Sequence, residues 1–240
     1  ERIVGFWLHS TITNYLDKHK RLVLAFEKES QIQTTSLSFS SFQIPLNTKE
    51  SLLALRESTF FHLQQYSVIL KDFYNEHVEF IDDSSYSIIQ DVKKLDRTKS
   101  STSIKNFVRE RFLSILNKGY KSKVAFYVSL FSNKELFTFF WKSRFKYAPI
   151  FNDTTVLVKR EIDFELRNEI SNFSTENNFA NSILQSSVKY FFPIEILEGY
   201  DQISHEASKN IKMNIPTSIF TGVGFYWSSQ FAVWAAKCAE

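Results

Sequence analysis

Two glycines near the carboxyl end, Gly222 and Gly224, have a spacing that can do chemistry. They follow a short apolar strand, Ser218 to Thr221, and precede a helix expected to start near Ser228. Strand, glycine turn and helix N-terminus together make a seat for an anion: glycine lets the backbone approach, and the orphan N–H groups point outward. Thr221, Gly222, Gly224 and Ser228 are therefore candidates to hold a phosphate, and Tyr226 and Trp227 to stack on a base or sugar ring. Ser228 or Ser229 serves equally as a helix cap. The plain alternative is a tight turn. The third glycine of a dinucleotide fingerprint is missing, and a ribose-binding acid about twenty positions further on would fall past Glu240.

Other chemistry finds little support. His9, His19, His62, His77 and His205 include no i, i+4 pair and no Cys or carboxylate at metal-ligand spacing. His62, beside apolar residues on an expected helix, reads as a satisfied core or boundary histidine. There is no Gly-x-Ser-x-Gly elbow to anchor a triad, and no P-loop. Asp82-Asp83 matches a solvated turn better than a metal pair at a strand end.

The elements that must position these residues read as α/β and helix-rich. With 240 residues, 43% of them hydrophobic, the chain can build one large domain or two small ones. Twenty-five Phe and ten Tyr beside five Gly and four Pro favour helix over tight turns. The 29 basic and 26 acidic residues are interleaved, for a net charge of +3, which argues against nucleic acid as a partner; the densest basic run, Lys118 to Lys123, is a short solvated helix end. One cysteine, Cys238, rules out an internal disulfide framework and reads as a small buried thiol. No apolar run is long enough to cross a bilayer, and the default location is the cytoplasm.

Arg2 to Glu29 reads as a helix whose stripe of Trp7, Leu8, Ile12, Tyr15, Leu16, His19, Val23 and Phe26 faces a core, with Lys18, Lys20 and Arg21 elsewhere. A loose strand over Ile32 to Phe42, a short helix capped by Thr48 and a helix from Phe60 to Tyr74 follow. Asp82 to Thr102 is polar, and Ile104 to Leu116 returns to helix. Lys123 to Phe131 is apolar almost throughout and predicts a strand buried on both faces. Ser132-x-x-Glu135 then opens a helix over Leu136 to Arg144 with a capping box. Val156 to Val158 suggests a strand, and Ile162 to Ser171, Asn178 to Tyr190 and Asp201 to Asn210 predict helices. The expected division is a helix-rich α/β region over 1–195, and a linker with the start of a second domain over 196–240. Both ends read as unfinished, so the chain is expected to be an internal piece of a larger protein, inactive alone.

Three stretches, in order, carry a resemblance: Arg2-x-x-x-Gly5-x-Trp7-Leu8 with Tyr15-x-Asp17-Lys18; Ile44-Pro45-x-Asn47-Thr48 with Phe61-x-Leu63-x-x-Tyr66-Ser67; and Phe220-Thr-Gly-Val-Gly-Phe-Tyr with Phe231-x-x-Trp234-Ala235-Ala236. Together they resemble a family of bacterial transferases of surface-carbohydrate biosynthesis. Phe6 and Lys18 stand where the family pattern has Pro and Arg. The resemblance implies two Rossmann-like halves of GT-B type, a nucleotide-sugar donor used as substrate with no further cofactor and no metal, a glycan or lipid-linked acceptor, and peripheral association with the inner face of the membrane. Family members continue into a Gln-His-Gly-type segment, where catalytic or donor-phosphate groups are expected; no general base can be named in this chain. The competing reading is a non-catalytic, helix-rich scaffold.

Overall fold

A computed structural model describes residues 3–29, 32, 34–81, 124–127, 131–144, 146–149, 158–159, 161–173, 178–211 and 216–239. Arg2, Asp82 to Thr102 with its Asp82-Asp83 pair, the helix expected over Ile104 to Leu116, the basic run Lys118 to Lys123, and Val156 and Leu157 lie outside the described residues. The elements are α1 (Gly5–Lys28), β1 (Thr34–Leu37), α2 (Thr48–Glu57), α3 (Thr59–Phe73), β2 (Val78–Ile81), β3 (Val124–Tyr127), α4 (Asn133–Lys142), β4 (Tyr147–Pro149), α5 (Phe164–Ser171), α6 (Phe179–Phe191), α7 (Tyr200–Ile211), β5 (Ser218–Thr221), a single turn α8 (Gly224–Trp227) and α9 (Ser229–Cys238). Helix-rich α/β is thus the class, with small parallel sheets. The chain forms two compact units. One comprises Val4–Thr98 and Arg160–Glu198; the other comprises Glu1–Ile3, Lys99–Lys159 and Gly199–Glu240. We call them the helical unit and the sheet unit.

In the helical unit the stripe on α1 buries Trp7, Thr11, Tyr15 and Lys18, spaced by four, four and three residues. Lys18 corrects the sequence reading, which put it on the solvated face; conversely Leu16 and Leu24 are exposed. Rings interlock at the core: Tyr15 and Phe61 each meet Phe191 edge-on, at 5.7 and 5.3 Å, and the Trp7 indole N–H donates to Ser51 Oγ at 2.9 Å. Strands β1 and β2 pair in parallel from Thr34↔Val78 to Leu37↔Ile81. The first of them is shorter than the sequence suggests, because Ser38 Oγ accepts the Ser40 N–H and turns the chain into a 3-10 segment, Phe39–Ser41.

The cap of α2 is Asn47, whose side-chain oxygen accepts the Glu50 N–H at 2.9 Å; Thr48, expected to cap, is the buried first helical residue. Asn47→Ala should lower stability by about 1 kcal/mol, read as a lower urea midpoint at unchanged slope. An unchanged midpoint would deny Asn47 that role.

In the sheet unit β3 lies between β4 and β5, and all three run parallel, with Phe126↔Phe220 and Tyr127↔Thr221 in register. Alternation sends Phe126 and Phe220 to one face and Tyr127 and Thr221 to the other. Helix α4 covers the first face, where Phe139 stacks over Phe126 at 6.2 Å. Helix α9 covers the second, where Phe231 stacks on Tyr127 at 3.8 Å and Ala235 and Ile219 close the contact. Helix α7 backs α9 through Ile203, Ala207 and Val233. The expected capping box is present on α4: Ser132 Oγ accepts the Glu135 N–H while Glu135 Oε2 accepts the Ser132 N–H at 2.7 Å. No described helix is long and apolar enough to cross a membrane.

Candidate functional site

The residues singled out from the sequence lie in the sheet unit, where β5 leads into α8 and α9. From β3 the chain passes to a helix on the Phe126 face; from the neighbouring β5 it passes to a helix on the Tyr127 face. Where two adjacent parallel strands send their connections to opposite faces, the loops part and leave a crevice at the carboxyl ends of the strands. The described rims of this switch point are Phe131-Ser132 after β3, where Phe131 packs on Phe220 at 5.7 Å, and Gly222-Val223 after β5.

The rims differ electrostatically. On the β3 side the N-terminus of α4 is already occupied: both Ser132 hydrogen bonds hold the Glu135 carboxyl below its usual range, so it stays ionised where a phosphate would otherwise sit. The β5 side carries no carboxylate between Ser218 and Cys238.

The two glycines separate in role. Gly224 is buried: a Cβ built on it would lie 2.6 Å from Thr221 Oγ1, 2.6 Å from Tyr127 Cδ1 and 2.7 Å from Phe231 Cε1. Its missing side chain lets the turn pack against β3 and α9, and it is not open to a phosphate. Gly222 is exposed, and neither glycine has a positive φ. Thr221 Oγ1 accepts the Gly224 N–H at 2.8 Å, and Ser228 Oγ accepts the Phe231 N–H at 3.1 Å as the cap of α9. Each hydroxyl still carries its own proton for an anion oxygen. The helix expected near Ser228 begins at Ser229, preceded by the turn α8, which displays Phe225, Tyr226 and Trp227 at 39%, 37% and 41% exposure. Tyr226 and Trp227 are therefore exposed ring surfaces rather than core. Cys238 is half-buried, and burial pushes its thiol up to about 11, far from a reactive thiolate. Among the described residues no group of three or more His, Cys, Asp or Glu is arranged to hold a metal.

A family model described as LIC12162 family transferase matches residues 1–240. The chain belongs to that transferase family. No curated relative and no solved structure matches it significantly. Within this family member, the turn after β5 was legible from its glycines, whereas the β3 rim was not. Within the expected strand the structure describes Val124–Tyr127, buried at Ala125 and Tyr127 but only half-buried at Val124 and Phe126, and only pairing places it beside Thr221, some ninety residues on.

His62 is half-buried on α3, at the boundary position the sequence allowed, and its Nδ1 meets no partner at hydrogen-bond geometry. Asp17, part of the first stretch that carries the resemblance, lies on the exposed side of α1, paired with Arg21 at 2.9 Å.

Proposed function

We propose that this transferase moves a sugar from a nucleotide-activated donor to a glycan or lipid-linked acceptor in cell-surface polysaccharide biosynthesis, on a Rossmann-like, GT-B-type framework at the inner face of the membrane. The observation that supports the reading is that the adjacent parallel strands β3 and β5 lead to helices on opposite faces of the sheet, the arrangement at which a ligand crevice opens in α/β sheets. In a transferase, a cleft of this kind suits a dinucleotide-like or nucleotide-sugar ligand. The donor diphosphate lies against the backbone of Gly222 and Val223, with the Thr221 and Ser228 hydroxyls in reach. Trp227 or Tyr226 supplies a face for the base or sugar. Backbone and hydroxyl donors offset the charge that grows on the departing nucleotide as the sugar–oxygen bond breaks.

The test is thermal shift and calorimetric titration of the protein with UDP-, CMP- and GDP-sugars. One donor class should raise the melting temperature saturably. Trp227→Ala should weaken it by roughly tenfold or more, the value of one base–aromatic stack. No response to any donor, or an unchanged affinity in both Trp227→Ala and Tyr226→Ala, would remove the donor reading and favour a non-catalytic scaffold.

A further inference from the structure

The helical unit buries a cation without giving it a carboxylate. Lys18 is 4% exposed; its ammonium donates to Asn14 Oδ1 at 2.9 Å and stands 5.7 Å from the centre of the Tyr66 ring. Asp17, the neighbouring acid, turns away to Arg21, and both side chains of that pair are well exposed. A buried ammonium is expensive unless paired, and burial pulls Lys18 down to about 8, with Asp17 opposing and Arg21 adding to the drop. One amide and one ring face are poor compensation for a full charge.

Facing Lys18 from α3 are further polar atoms with unmet bonds. Gln65 is wholly buried, and neither its carboxamide oxygen nor its nitrogen has a hydrogen-bond partner. His62 Nδ1, three residues earlier on the same helix, has none either. The three groups share one locality: burial and then the Lys18 charge lower the proton affinity of His62, the Gln65 side chain comes close enough to oppose them without reaching hydrogen-bond geometry, and Lys18 lies over Tyr66, next to Gln65. Buried polar groups in folded proteins nearly always have partners, so a cation beside two unmet nitrogens suits an acceptor.

We propose that Lys18, His62 and Gln65 form a receptor for an oxyanion, either inorganic phosphate or the phosphate or carboxylate of a larger ligand. Lys18 Nζ supplies the charge, and Gln65 Nε2–H and His62 Nδ1–H supply directed hydrogen bonds. The bound anion raises the proton affinity of Lys18 and His62, reversing the effect of burial. This site belongs to the helical unit and stands independently of the donor crevice in the sheet unit.

The test uses the whole chain at pH 7, melted in increasing inorganic phosphate or sulfate against chloride at equal ionic strength. Phosphate should raise the melting temperature saturably, by several degrees at about a hundred times its dissociation constant. Lys18→Met should abolish that response and, without anion, melt no lower than the parent, since it removes an uncompensated buried charge. Gln65→Leu and His62→Phe should each weaken phosphate by about tenfold, which keeps the test decisive if Lys18→Met fails to fold. Trp227→Ala should leave the phosphate response intact, which separates this site from the crevice. A nucleoside diphosphate that outcompetes phosphate only when Lys18 is present would identify the anion as part of a nucleotide.

The pH dependence gives a second readout. Lys18 titrates at about 8 when folded and at 10.5 when free of the fold, so over that interval the unfolded chain holds the extra proton. Stability of the parent relative to Lys18→Met should therefore rise from about pH 8 to 10.5, and phosphate should flatten the rise. An absent phosphate effect, one that chloride reproduces, or one that survives Lys18→Met would overturn the proposal.

Discussion

Gly224→Val should unfold the sheet unit or cost it roughly 3 kcal/mol or more, the upper range for forced overpacking, and Gly224→Ala should cost about 1–3 kcal/mol. Helix propensity argues the other way, since alanine normally gains up to about 1 kcal/mol over glycine in a helix. Distances decide the sign. Contacts of 2.6 and 2.7 Å to the Tyr127 and Phe231 rings cannot be relieved by swinging a flexible side-chain end, because these rings stack on one another at 3.8 Å and are buried. Thr221 Oγ1, the third neighbour, is held by the Gly224 N–H. Denaturant unfolding with near-UV circular dichroism reads both variants. Gly222→Ala, exposed and with no positive φ to satisfy, should stay within about 0.5 kcal/mol of the parent. If Gly224→Ala were as stable as the parent, the turn could not be packed against those two rings.

Arg167→Met should cost the helical unit about 3–5 kcal/mol. The Arg167 side chain is fully buried on α5 and grips Glu198 with both arms, Nε to Oε1 at 2.6 Å and Nη2 to Oε2 at 2.7 Å. Its remaining nitrogen donates to the Phe192 carbonyl at 3.0 Å, at the end of α6, and Glu198 Oε1 also accepts the Asp163 N–H at the start of α5. One ion pair thus ties the entry of α5 to the exit of α6. Removing the arginine strands a largely buried carboxylate; removing both charges, as in Arg167→Met with Glu198→Gln, should recover much of the loss. Arg167→Lys should not, because an ammonium cannot make the two-armed contact. Urea midpoints of the two single variants and the double variant complete the cycle. A double variant no more stable than Arg167→Met would deny the pair its role.

Local signals in the sequence carried far. Ser132-x-x-Glu135 named a capping box that forms, because both partners lie within one turn and need nothing from the rest of the chain. Ser218 to Thr221 was bounded to the residue by Pro216 and Gly222. Errors arose where a distant partner decides the outcome. Lys18 sits on α1 at a spacing that fits the apolar stripe, but its charge suggested solvent; burial is imposed by α3, about fifty residues away. Thr48 and Asn47 are both good caps by residue type, and residue type alone does not choose between them; in the fold Asn47 has the extended backbone of a cap and Thr48 is already helical. The surroundings of the two glycines were half legible. Glycines marked the β5 rim, but the roles of the two were inseparable until Tyr127 and Phe231, from two other elements, closed on Gly224 and left Gly222 outside.

The discontinuous make-up of the two units bears on how the protein is born. As the nascent chain leaves the ribosome, α1 and α3 emerge early, with Tyr15 and Phe61 displayed, yet Phe191, the ring both lean on, is translated far later. At about 5–20 residues per second that interval lasts on the order of ten seconds, ample for an uncovered aromatic surface to recruit a chaperone or a neighbouring chain. Pausing or truncation before α6 should accordingly yield sticky, protease-sensitive intermediates, whereas synthesis that runs through Glu198 releases a helical unit able to close.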